Sequence, residues 1–84
     1  MEILYTARFI RSYKKLPQAV QSDVESALED FKDKKNHEQL KLHKLHGNMK
    51  PYHAFSANFS YRIVVKIEKN ISYCMDVGDH TVYE

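Results

Sequence analysis

The sequence predicts an α+β fold: a strand, a two-helix hairpin, then a three- to four-stranded antiparallel sheet with the helices on one face. Three observations carry that expectation. Apolar residues recur at helical spacing only up to about Asp33. From Tyr52 onward the apolar residues alternate with polar ones in the manner of strands. A short apolar segment, "EILY", precedes the first helix signal. With 84 residues and no linker or repeat, the expected organisation is one domain, 1–84.

Each element has a local reason. Glu2–Tyr5 reads as the first strand. Thr6 can cap a helix at Ala7, because its hydroxyl can accept one of the first-turn amides that have no helical partner. Phe9, Ile10, Tyr13 and Leu16 then fall on one helical face. Pro17 ends that helix and suits the start of another. In the second helix Val20, Val24, Ala27, Leu28 and Phe31 repeat at helical spacing, with Glu25, Glu29 and Asp33 as an acidic stripe beside them. The stretch from Leu40 to Gly47 has neither period and reads as a turn-rich connection.

The sheet is expected to pair by its apolar pattern. A three-residue loop Glu68–Asn70 would set Ile67, Val65, Ile63 and Tyr61 opposite Ile71, Tyr73, Met75 and Val77, gathering them on one face. Arg62 then lies opposite Asp76. A turn at Asn58–Phe59 would place His53 and Phe55 with Arg62 and Lys66 on the other, uncovered face, with Tyr52 and Ala54 toward the core.

The charge distribution is uneven although the net charge is only +2. Asp23, Glu25, Glu29, Asp30, Asp33 and Glu38 fill the second helix and its exit, whereas no acid occurs from Gln39 to Ile67. That acid-free half contains Lys41, His43, Lys44, His46, Lys50, His53, Arg62 and Lys66. Such asymmetry points to a polyanionic partner. No apolar run has membrane-spanning length and "MEILYTARF" lacks a secretory apolar stretch, so the expected location is the cytoplasm, away from membranes. One cysteine, Cys74, excludes an internal disulfide and reads as a small buried strand residue. His43 and His46 have no Cys-x-x-Cys or His-Glu-x-x-His beside them, and Gly47 and Gly78 make no phosphate loop, so neither a metal nor another cofactor is expected.

Imidazole, guanidinium, ammonium and phenyl groups on one face suit a nucleic-acid strand, with cations on phosphates and rings on bases. The same groups suit RNA cleavage through the substrate's own 2′-hydroxyl. A base removes that proton, an acid protonates the leaving 5′-oxygen, and cations stabilise the phosphorane. His53 and His80 are the expected proton-transfer groups, with Arg62 as the stabilising cation. Gly78 allows a turn that brings His80 and Tyr83 to the edge of this face.

The element order, with "KLHKLHG" before the sheet, "YRIVV" on a central strand and "DVGDHTVYE" at the end, resembles the RelE/ParE toxin superfamily over nearly the whole chain. The resemblance implies the toxin of a type II toxin–antitoxin system, a ribosome-dependent, metal-independent endoribonuclease that cuts mRNA and is held in a hetero-oligomer by a cognate antitoxin. It implies catalytic roles for Arg62 on the scissile phosphate, His53 in the place of a lysine, His80 as the terminal basic residue, and Tyr83 stacking on a base or orienting the site. His43 resembles a histidine that YafQ-like toxins use, and the expected RNA contacts are His43, Lys44, His46, Lys50, Phe55 and Lys66. Phe55 replaces a second lysine, Ser60 and Tyr61 replace an Asp-Trp pair, and Asp76 stands near an arginine position. The alternatives are a ParE-like inhibitor of DNA gyrase, whose chains typically lack this histidine and tyrosine set, and an inert member that binds only RNA or antitoxin.

Overall fold

The computed structural model describes residues 1–79 and Val82. Strand β1 (Glu2–Tyr5) leads into helices α1 (Ala7–Lys14) and α2 (Gln18–Phe31). Four more strands follow: β2 (His43–Lys44), β3 (His53–Ser56), β4 (Tyr61–Glu68) and β5 (Ile71–Asp79). The sheet order is β1-β5-β4-β3-β2, with β1 parallel to β5 and every other pair antiparallel. The α+β expectation therefore stands, with the described sheet extended to five strands by β1 at one edge and two-residue β2 at the other.

Thr6 starts α1 as its side chain suggests. Its Oγ1 accepts the Phe9 amide at 3.2 Å and donates to the Cys74 carbonyl at 2.8 Å, tying the helix start to β5. Val24, Ala27, Leu28 and Phe31 bury the inner face of α2. They meet Phe55, Ile63, Val65, Cys74 and Val77 in the main core, where the Phe31 and Phe55 rings stack with centroids 4.3 Å apart. Cys74 is fully buried, and burial pushes its thiol up to about 12, so it is a packing residue rather than a nucleophile.

The strand registers differ from the expected ones. Phe55 faces Ile63 and Ser56 faces Arg62, one residue away from the expected pairing. Because side chains alternate with period two, that single step sends His53 and Phe55 to the helix side, and Tyr52 and Ala54 to the opposite side. At the β4–β5 hairpin the loop is Lys69–Asn70, with Lys69 rather than Asn70 in the left-handed region (φ 56°). Val64 then faces Asp76 while Val65 faces Cys74, which makes Met75 the extra residue of a bulge. The bulge restores parity, so Cys74 and Val77 both reach the main core. Arg62 consequently faces Gly78, not Asp76.

The physical reason is that the sheet is covered on both sides. Leu45, Ala54 and Val64 form a second, smaller cluster on the face away from the helices, joined by Met49, Tyr52, Met75 and Val82. Ile63, Val64 and Val65 are thus buried consecutively. A strand covered on both faces loses the polar alternation that would set its phase.

Candidate nucleic-acid interface

The acid-free stretch folds into one edge of the sheet. Strand β2 is short and wholly exposed, and the 3-10 turn Gly47–Met49 returns the chain to β3. Lys41, His43, Lys44, His46 and Lys50 are all exposed along this path. Lys41, Lys44 and Lys50 make no ion pair among the described residues. A short, cationic edge strand is protected against pairing with another sheet and remains available to an anion.

Two faces divide the expected catalytic set. His43 faces Ala54 and Ala54 faces Val64, which puts His43 on the second face, the one that also carries Arg62. Lys44 faces His53 and His53 faces Val65, a row on the helix side. His53 and Arg62 therefore lie on opposite sides of the sheet, about 10 Å apart along the strand direction as well. One phosphodiester cannot touch both. Phe55 is corrected too: fully buried against Phe31, it has no face to offer a base. Lys66 lies on the second face beside Glu68, 3.8 Å from its carboxylate. His80 and Tyr83 fall outside the described residues.

The half-buried His53 is chemically distinct from its neighbours. Its Nδ1 is buried without a partner among the described residues. Burial, followed by the charges of Lys44 and His43, lowers its pKa below the ordinary histidine value, so the ring is neutral at physiological pH. His43 has a different setting. Its Nδ1 stands 2.9 Å from the Lys41 carbonyl, and a carbonyl can only accept. In the neutral ring Nδ1 therefore carries the proton and Nε2 is the basic nitrogen. His43 and His46 also line one shallow cavity of about 250 Å³ with Lys44, Leu45 and Met49.

Arg62 organises the other end of this face. Its Nη1 donates to the carbonyls of Asn58, Phe59 and Tyr61 at 3.0, 3.2 and 3.1 Å, which clamps the β3–β4 turn. Nε and Nη2 make no bond among the described residues. Asp76, the acid expected to neutralise Arg62, is taken instead by Ser12 Oγ at 2.6 Å and Arg8 Nε at 3.2 Å, contacts with α1 across more than sixty positions of sequence. Gln39, Lys41, Ser56, Asn58, Phe59 and Arg62 line a groove of about 460 Å³ at this end. His43 lines the neighbouring cavity rather than this groove, and is tied to the groove's lining through its bond to the Lys41 carbonyl. The sequence reading missed Lys41 and Phe59. The signal for Phe59 was an aromatic inside the polar turn "ANFSY".

Among the described residues, no three His, Cys, Asp or Glu side chains gather as a metal-binding group, and no helix is long and apolar enough to cross a membrane.

Solved structures share this architecture over almost their whole length. YafQ from E. coli strain BL21(DE3) superposes with a TM-score of 0.76 at 14% identity, covering 96% of this chain and 94% of that one. The YoeB–YefM complex from Staphylococcus aureus gives 0.74 at 18% identity, with 95% and 97% covered. The toxin–antitoxin complex RelBE2 from Mycobacterium tuberculosis gives 0.70 at 16%, with 93% and 95% covered. The chain has the RelE/ParE toxin fold. No family model matches the sequence, and no curated protein does. In this chain the fold is held by packing such as the Phe31–Phe55 stack and by the α1–β5 tie.

Proposed function

We propose that this chain is the toxin of a type II toxin–antitoxin pair and that it cuts mRNA on the ribosome as a metal-independent endoribonuclease. A cognate antitoxin holds it silent in a cytoplasmic hetero-oligomer. The toxin and antitoxin roles draw support from the RelBE2 structure, described as a toxin–antitoxin complex, and from YoeB, solved with YefM. The cleavage reading rests on one observation: His43 and Arg62 stand on the same face of the sheet, within a stretch of chain that holds no acid, and Arg62 lines a groove without a carboxylate.

The chemistry follows from those groups. Neutral His43 takes the proton of the 2′-hydroxyl on Nε2. The 2′-oxygen attacks phosphorus, and Arg62 with Lys50 stabilises the added negative charge of the phosphorane. The bond to the 5′-oxygen breaks as an acid protonates it, leaving a cyclic 2′,3′-phosphate and a 5′-hydroxyl. His46, beside His43, and His80, by family resemblance, are the candidates for that acid, and Tyr83 is assigned by resemblance to orienting or stacking. His53 is not given the base role, because the sheet separates it from Arg62.

Message ends mapped after brief induction test this reading. Wild type should produce new 5′-hydroxyl ends within translated messages, and His43→Ala and Arg62→Ala should not. Intact transcripts together with a collapse of DNA supercoiling would establish gyrase inhibition instead, and unharmed growth with neither effect would establish an inert member.

A further inference from the structure

The β3–β4 turn holds a feature that folding does not explain. Phe59 is 96% exposed, the most exposed large hydrophobic residue described. It contributes almost no burial, yet the turn that carries it is held by several side-chain hydrogen bonds. Asn58 Oδ1 accepts the amides of Ser60 and Tyr61 at 2.8 and 2.9 Å, and Asn58 Nδ2 donates to Asp23 at 2.9 Å. Arg62 adds its three bonds to the turn carbonyls. The turn presents this ring to solvent with its backbone already ordered, so binding has only the side-chain rotamer left to fix.

Lys41 lines the same groove with its backbone at φ 60°. For a residue with a side chain that conformation costs about 1–2 kcal/mol. Leu42, the next residue, donates its amide to the His37 carbonyl at 3.0 Å, and Ser56 donates to the Leu40 carbonyl at 2.9 Å, so the strained bend is pinned from both sides. The groove lining therefore combines an aromatic face with two cations, Lys41 and Arg62, and includes no carboxylate among the described residues.

We propose that Phe59, Lys41 and Arg62 form a binding site for one unpaired nucleotide of single-stranded RNA, its base stacked on Phe59 and its phosphate on Lys41 and the Nε–Nη2 edge of Arg62. The proposal rests on the RNA reading above and names the residues that grip the strand in the Arg62 groove itself. An apolar protein contact would also use an exposed phenyl ring, but it gives no reason for two cations in the same lining that make no ion pair among the described residues. Duplex RNA hides its base faces and does not fit.

The test is binding of a labelled ten-nucleotide RNA carrying 2′-O-methyl groups, which cannot be cut, to the full chain. Phe59→Ala should weaken binding by about 5- to 100-fold. Phe59→Leu should weaken it similarly, because it keeps apolar area and loses the π-face. Phe59→Trp should retain affinity, and as the chain has no other tryptophan its fluorescence should be quenched on binding. Lys41→Gln should lower the slope of log affinity against log salt by about 0.7. Unchanged melting temperatures establish that these exposed variants fold. Wild-type affinity in Phe59→Ala, or in Phe59→Leu as a protein-docking surface would give, overturns the proposal, and so does a wild type that does not bind the oligonucleotide. Message cleavage by the same wild-type protein is scored separately. A toxin that cuts normally while Phe59→Ala binds normally loses this site and keeps the proposed function.

Discussion

The two faces of the sheet use the same strands for different ends. Toward the helices, Phe55, Ile63, Val65, Cys74 and Val77 meet Phe31 and Val24 in a closed apolar core. On the opposite face a smaller cluster of Leu45, Ala54 and Val64 occupies only the middle. Around it lie His43, Arg62 and Lys66, and one end opens into the Phe59–Lys41 groove. Two histidines on neighbouring strands show what the division means. His53 faces the helix side, with an Nδ1 that has no partner among the described residues and a proton affinity lowered by burial. His43 is exposed, oriented by the Lys41 carbonyl, and shares a face with Arg62. A histidine's chemistry is set less by its place in the sequence than by the side of the strand on which register leaves it.

The sharpest way to break this contrast is to exchange the fates of the two histidines. His43→Ala should reduce the message-cleavage rate by about 10²- to 10⁴-fold with the melting temperature unchanged. His53→Ala should leave the cleavage rate within a few-fold of wild type. The reverse outcome would return catalysis to the helix side and remove the assignment of faces.

Stability should show the opposite sensitivity. Phe55→Ala deletes one ring of the Phe31–Phe55 stack and should cost about 3–5 kcal/mol in urea unfolding. A loss below about 1 kcal/mol would mean that Phe55 is not the buried core residue described here.

A smaller effect concerns pH. His53 has a folded pKa below its unfolded value, so the unfolded chain binds more protons in the window beneath about 6.5. Stability from this group is complete above that window and declines as pH falls through it. Unfolding midpoints should therefore drop between neutral and mildly acid pH, and His53→Gln should flatten that decline. An unchanged pH profile in the variant would show that the ring is not held neutral by its surroundings.

The smallest effect is expected at Lys66. Its ion pair with Glu68 is exposed on both sides, so Lys66→Gln should change stability by less than about 0.5 kcal/mol. A larger loss would give the far end of the second face a structural role that its contacts do not explain.

Much of the fold was legible because its signals are local. Thr6 caps α1 through an amide three residues away. The apolar spacing of α2 is visible within one window, and Glu2–Tyr5 forms the expected strand. The site was legible only as a region. "KLHKLHGNMKPYH" does become an exposed cationic edge, but the partition of its residues between faces was not readable, and Phe55 was assigned to the wrong one. Asp76 illustrates the limit: nothing near it in sequence announces Ser12 and Arg8, which reach it from α1.

By itself the sequence determined the class of the fold, the order of its helices and strands, and the concentration of positive and titratable groups in its second half. These depend on spacing, capping and charge, properties of neighbours along the chain. Only the tertiary structure decided which groups meet. One residue of register in β3, a bulge at Met75 and a second apolar cluster moved His53 and Phe55 away from Arg62, left Lys41 and Phe59 in its groove and put His43 on its face of the sheet. The physical reason is the two-residue period of a strand: a sheet buried on both faces carries too little alternation to set its own phase, and packing from distant elements must choose it.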